Sequence, residues 1–299
     1  MSKVSNWLST ILIILVFISI APGLISKIKS QYQESLKPHV KVASIKINNE
    51  IKEIDSYLKQ LTKYFKDPQI KAILLEIDSP GGQTGSSKAI FNEIITLKKE
   101  FPKPIVTFST NCCASAAYHI ASASDYIIAT QMTLIGSIGV TVSFFNISDV
   151  LKKYDIKYTN KSSGEYKTVG TPFLPNNAIQ EQMLQELSDL SYTIFTNDVA
   201  TCRKLSLKEV NQWANGRIFI GDQALKLGLI DETGSKSNVI KKIKELALIK
   251  DEEEITWVKE EEPNALTKFL SSKTQTNLSP DAIIDTIIGK LESRFISCN

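Results

Sequence analysis

The stretch "KAILLEIDSPGG" (71–82) couples a short, nearly continuous apolar run to a turn with two glycines. Such a run is the pattern of a strand buried on both faces, as parallel sheets require. Ser79-Pro80 turns the chain, and Gly81-Gly82 can take positive φ and let a ligand approach their N–H groups. Around this strand lie further β-rich runs, "HVKVASIKI" (39–47), "PIVTFST" (104–110) and "DYIIAT" (125–130). Helical patterns separate them. "EIKEIDSYLKQLTKYF" (50–65) places Ile51, Ile54, Leu58, Leu61 and Phe65 at helical spacing; "SSKAIFNEIITLKK" (86–99), a segment beginning near Ser115 and "ISDVLKKY" (147–154) follow. The alternation predicts an α/β fold with a mostly parallel, helix-covered sheet.

Residues 176–204 form the longest helical pattern, with Met183, Leu187, Leu190, Ile194 and Phe195 on one side. "SLKE" (206–209) has the form of a capping box, and "DQALKLGL" (222–229) ends at Gly228 as a left-handed helix stop would. After about residue 247 the pattern weakens into solvated charge runs, and "DAIIDTIIGKLESRF" (281–295) stands as one isolated amphipathic helix. At the other end no charge occurs from Val4 to Ser26, and "WLSTILIILVFISIAPGLI" (7–25) reaches the roughly 20 residues that cross a bilayer. A cleaved signal peptide is the alternative, although Pro22 directly after Ser19-Ile20-Ala21 disfavours a cut there. The expected organisation is a membrane anchor at 1–26, a linker at 27–38, an α/β domain at 39–247 and a polar tail at 248–299 with a terminal amphipathic helix.

The net charge is only +3, and no basic patch is interleaved with aromatics, which excludes a nucleic-acid partner. His39 and His119 are the only histidines, too few for a multi-histidine metal site. Cys112, Cys113, Cys202 and Cys298 show no CxxC spacing and no disulfide framework.

"NCCASAAYHIAS" (111–122) sets Ser115 among small residues at a strand–helix junction. Backbone N–H groups are unpaired there and the helix dipole favours negative charge, so Ser115 suits a helix cap or a nucleophile. A nucleophile needs a base. His119 lies one helical turn along, whereas a catalytic histidine ordinarily approaches from another element, held by an acid. His119 therefore reads as a packed residue, and His39 sits beside the linker. That leaves lysine. "SSGEYKTVGTPF" (162–173) holds Lys167, the lone charge between Tyr166 and Ala178. An unperturbed lysine, with a pKa of about 10.4, is neutral about one part in two thousand at pH 7. Desolvation lowering the pKa by about 3 units, at a cost of roughly 4 kcal/mol, would make it a base. A surface lysine is the alternative.

Taken in order, "DSPGG", "ASAAYHIASASDYIIA", "LIGSIGV" (134–140), "SGEYKTVGTPF" and "NGRIFIGDQALKLGLIDETG" (215–234) resemble the signal peptide peptidase A (SppA) family. These are membrane-anchored Ser–Lys serine peptidases, here in the short single-copy form, of the Clp protease/crotonase-like fold of repeated β-β-α units. The resemblance spans most of 40–245. It implies that Ser115 is the nucleophile and Lys167 the general base. The N–H groups of Gly82 and Ala116 would form the oxyanion hole, and Ser137 would orient the lysine amine. It implies further a membrane-bound endopeptidase cleaving hydrophobic peptides such as remnant signal peptides, with no cofactor and no metal. The protein would be a ring-like homo-oligomer such as an octamer, with Ser115 and Lys167 contributed by adjacent subunits. Its helix would pass once through the bacterial inner (cytoplasmic) membrane, with the catalytic domain on the extracytoplasmic side.

One departure stands out. Ala116-Ala117-Tyr118-His119 replaces the family's Gly-Gly-Tyr-Tyr, and the added methyl groups narrow the approach and disfavour a left-handed backbone. This leaves a second reading, an inactive membrane-anchored scaffold on the same fold. A third, a crotonase-type enzyme handling acyl-CoA, is disfavoured by the anchor and by the lack of acids near the glycine-bearing loops.

Overall fold

The computed structural model describes residues 17, 19, 21–23, 25–27, 29 and 38–260. Strands β1 (His39–Asn48), β2 (Ile70–Ser79) and β3 (Ile105–Ala114) pair in parallel at the centre of the sheet. Their apolar residues alternate between the two faces. Ile45, Ile73, Leu75 and Ile77 face one core, beneath helices α1 (Asp55–Lys66), α2 (Thr84–Glu100), α3 (Ala116–Ser122) and α5 (Ala178–Arg203). Val42, Ala72, Leu74 and Val106 face the other, closed by Val239 and Ile243 of α8 (Lys236–Leu246). Burial on both faces is what the apolar run 72–75 requires, and all four of its residues are buried.

The sheet forks at β3. Val106–Ser109 pair with β4 (Tyr126–Ala129), whereas Cys112–Ala114 pair with β5 (Leu134–Gly136). Strand β5 then pairs antiparallel with β6 (Ile218–Ile220), whereas the other strand pairs among the described residues are parallel, in line with a mostly parallel sheet. The far edge is β8 (Glu254–Val258), parallel to β1. The short α4 (Ser148–Lys153) lies between β5 and α5. Asn177 caps α5 through a reciprocal box with Gln180. At the other end of α5, the buried Arg203 guanidinium forks onto Asp231 with two bonds of 2.8 Å and also donates to the Gly228 carbonyl.

Several expectations are corrected. The predicted helix over 50–65 begins only at Asp55, because the backbone of Ile51 is used elsewhere. Ile51 donates to the Gly81 carbonyl at 2.8 Å and accepts from Gln83 at 2.9 Å. "SLKE" forms a 3-10 turn, Leu207–Glu209, and Ser206 makes no side-chain cap. On α5 the apolar side read from sequence is half open: Leu187, Leu190 and Ile194 are exposed, while Phe195, Val199 and Ala200 are buried.

The anchor is corrected as well. Most of 1–26 lies outside the described residues, and among the described residues no helix is long and apolar enough to cross a membrane. An uncharged run measures composition, whereas a span needs an unbroken helix of about 20 residues. The N-terminal transmembrane helix of the expected fold, the membrane-bound function, the membrane partner and the single-pass inner-membrane location are therefore not retained. The terminal amphipathic segment 281–295 lies outside the described residues.

Candidate active site

Strand β3 ends against β5, and the chain must turn sharply to enter α3. The turn falls on Ser115, with φ 51° and ψ −124°. A non-glycine residue in this region is strained, and such strain persists where the surroundings over-determine it. Here the Ser115 N–H donates to the Gly136 carbonyl at 2.7 Å, and its carbonyl accepts from His119 N–H at 3.0 Å. Ser115 occupies the N-cap position but makes no capping bond, so the cap reading of its hydroxyl fails. Ala116 and Ala117 adopt ordinary helical backbone inside a wholly buried α3. The left-handed conformation feared for the alanines falls on the serine itself.

The glycine turn lies against this serine. A Cβ on Gly81 would stand 2.8 Å from Ser115 Cβ, and one on Gly82 2.2 Å from the Ile51 carbonyl oxygen; both residues have positive φ. Only glycine lets the two turns pass so closely. The bridge between Ile51 and the turn uses Gly81 C=O and Gln83 N–H and leaves the Gly82 N–H out. Ala116 opens α3, so its N–H has no acceptor within the helix.

Ser115 lines two cavities. One, of about 540 Å³, also touches Gly82, Ser137, Thr141, Tyr192 and Asn215. Ser137 follows β5 with φ 50°, and its N–H donates to the Arg217 carbonyl at 2.8 Å. The other, of about 210 Å³, runs between α2, α3 and α5 past Ser87, Lys88, His119, Ile194 and Phe195. The structure thus brings together Gly82, Ser115, Ala116 and Ser137. It does not bring Lys167 to them. Lys167 is exposed in the turns of 163–170, and neither cavity lined by Ser115 includes it.

His119 is buried and bonded at both ring nitrogens. Nδ1 is 3.1 Å from Ser87 Oγ and Nε2 is 2.9 Å from Asp198 Oδ2, while Phe91 and Phe195 flank the ring. Burial lowers its pKa, against the opposing pull of the Asp198 carboxylate. Lys88 Nζ pairs with the same Asp198 oxygen at 2.5 Å. Sequence reasoning missed Ser87, Lys88 and Asp198. They come from two helices whose charges carry no local motif, and only the packing of α2, α3 and α5 joins them. Cys113 is buried and Cys112 half-buried; burial pushes both thiols up. Among the described residues no cluster of His, Cys, Asp and Glu could hold a metal ion.

Residues 98–250 match the model of peptidase family S49. Over 210 residues the chain is 33% identical to a protein of Methanocaldococcus jannaschii named as a candidate protease, covering 70% of this chain and 67% of the relative. A candidate signal peptide peptidase SppA of Enterococcus faecium is 35% identical over 217 residues, 73% of this chain and 61% of the relative. A chloroplastic serine protease SPPA of Arabidopsis thaliana is 26% identical over 239 residues, 79% of this chain and 35% of the relative. The match thus spans two thirds or less of the length of the second and third.

Proposed function

Because the chain belongs to peptidase family S49, we propose that it is a serine peptidase in which Ser115 is the nucleophile and Lys167 the general base. The observation that carries this reading is the strained Ser115 backbone at the meeting of two cavities, beside two N–H groups left without helical or bridge acceptors. Ser115 Oγ attacks the scissile carbonyl carbon while Lys167 Nζ takes its proton. The N–H groups of Gly82 and Ala116 stabilise the oxyanion. Collapse breaks the C–N bond as Lys167 returns the proton to the leaving amine. Water then attacks the acyl-enzyme, giving its proton to Lys167; collapse breaks the acyl C–Oγ bond as Lys167 returns that proton to Ser115 Oγ. Ser137 accepts a hydrogen bond from the amine and directs its lone pair at Ser115.

His119 is unsuited to the base role, because both of its ring nitrogens are committed to Ser87 and Asp198. Lys167 must come to Ser115 from its exposed turn, whether the turn moves within one chain or a second copy supplies it. Covering that turn also supplies the desolvation that a neutral amine needs.

The test is hydrolysis of a fluorogenic peptide across roughly pH 6–10 by the wild type and by Ser115→Ala and Lys167→Ala. Wild-type activity that rises with pH, and vanishes in each folded variant, supports the reading. Mixing the two inactive variants then separates its forms: recovered activity places serine and lysine on different chains. A folded wild type that cleaves nothing over a broad panel favours an inactive scaffold, the reading to which the separation of Lys167 from Ser115 lends weight.

A further inference from the structure

The smaller cavity beside Ser115 combines two kinds of wall. Ala116, Ile194 and Phe195 give it apolar sides, whereas Thr84, Ser87 and Lys88 bring polar groups to it from α2. Lys88 Nζ sits over the Phe91 ring at 4.9 Å and donates one bond, to Asp198 Oδ2. An ammonium has three donor hydrogens. His119 is locked to the same carboxylate oxygen and cannot turn to the cavity. Lys88 is thus the strongest donor on the wall with hydrogens to spare, and its side chain remains 34% exposed. With the imidazole neutral, Asp198 balances Lys88 and the network carries no net charge.

We propose that Lys88 is a specificity-determining residue, and that this cavity takes an uncharged substrate side chain with an apolar stem and a hydrogen-bond acceptor at its tip, glutamine above all, beside the cleaved bond. The stem lies against Ile194 and Phe195, and the carboxamide oxygen accepts from the Lys88 ammonium. An aliphatic side chain of similar length would strip water from that ammonium and return nothing, the situation in which polar sites discriminate most sharply. A carboxylate would meet the ammonium but also the Asp198 anion behind it. A cationic side chain would be repelled. The proposal rests on Ser115 being the nucleophile only for the cleavage; binding in the cavity is independent of chemistry.

The experiment therefore has a binding arm and a cleavage arm, both with the full chain. Peptides identical except for Gln, Leu, Glu or Lys at one position are titrated into Ser115→Ala, and the same peptides are offered to the wild type with products mapped by mass spectrometry. The position is scanned across the peptide. At one position Gln is expected to exceed Leu by about tenfold or more in both arms. Lys88→Met should erase that ratio, and Lys88→Arg should keep part of it. Gly85→Val offers a steric check that leaves the charged network intact. Gly85 lines the cavity, and a Cβ there meets nothing within 4 Å, so Gly85→Val narrows the cavity and is expected to weaken binding of Gln and Leu alike. Leu equal to Gln at every position, or a Gln preference unchanged in folded Lys88→Met, overturns the proposal. Gln-selective binding by a protein that cleaves nothing upholds it while refuting the peptidase reading. Cleavage without selectivity does the reverse.

Discussion

The chain carries two regions of similar apolar content and opposite fate. From β1 to the end of α3, apolar side chains meet others of the same chain, and every residue from Ala116 to Ser122 is buried. From Val142 to Tyr166, Phe144, Phe145, Val150, Tyr154 and Ile156 stand open to solvent, and Lys167 lies next in line. The first region holds Ser115 in a conformation it would not adopt alone. The second leaves Lys167 exposed in its turn, outside both cavities that Ser115 lines. A nucleophile can be set by the packing of its own chain, whereas a lysine acting as base needs a cover, and here the two requirements fall in regions of different character.

The strongest way to break this contrast is to remove its two poles. Ser115→Ala should lower peptide hydrolysis by about a thousandfold or more with an unchanged melting temperature, since its hydroxyl makes no structural bond. Lys167→Ala should lose as much activity and as little stability, because the residue is exposed. A large fall in melting temperature for either would show that the residue serves packing.

Gly82→Ala sharpens the contrast from the rigid side. Positive φ alone costs about 1–3 kcal/mol, and the 2.2 Å approach to the Ile51 carbonyl forces the turn to move. Thermal unfolding should begin at least several degrees lower, and activity per folded molecule should fall by about ten- to a hundredfold as the N–H leaves its place.

His119→Ala should retain most activity per folded molecule while losing about 1–3 kcal/mol of stability, the cost of a cavity between Phe91 and Phe195 and of the lost bonds to Ser87 and Asp198, which keep Thr84 and Lys88 as partners. The pH dependence follows from the lowered pKa of His119. The unfolded chain binds a proton near pH 6.5 that the folded chain still refuses, so this contribution is whole above that pH and is lost as pH falls towards the folded value. Comparing melting temperatures near pH 7.5 and 5.5, roughly one unit either side of the unfolded pKa, should show a larger drop for the wild type than for His119→Ala. The reverse order would mean that the ring is charged in the fold.

The smallest effect belongs to the open region. Gly170→Ala meets Phe144, whose nearest ring atom would lie 2.4 Å from the new Cβ. Phe144 is an exposed side chain that can swing aside, so calorimetry should read only the conformational cost of a φ near 76°, about 1 kcal/mol.

How much of this was legible depended on what each residue's neighbours were. Strands β1 to β4 could be read because their central runs, such as Val42–Ile45 and Ala72–Leu75, are buried on both faces and carry no charge, and Gly228 announced the end of α7 (Gly221–Lys226) by the left-handed backbone only it accepts cheaply. Helix α1 was overextended because Ile51 keeps helical spacing while its backbone bonds to Gly81 and Gln83, a partnership formed across some thirty residues. Strand β8 was hidden among acidic residues at the sheet edge, where side chains stay partly wet. The Ser115 turn was marked by small residues, but its strain was not, because φ is set by the bond to Gly136 and the press of Gly81.

The sequence by itself determined the alternating α/β order, the glycine turn, the junction at Ser115 and the scarcity of histidine, since each follows from residue type and short-range spacing. Tertiary structure alone decided that Ser115 faces two cavities, that His119 is spent on Ser87 and Asp198, and that Lys88 reaches the smaller cavity. Those facts depend on which helix faces pack together, and charges more than a hundred residues apart leave no trace of their meeting in local pattern.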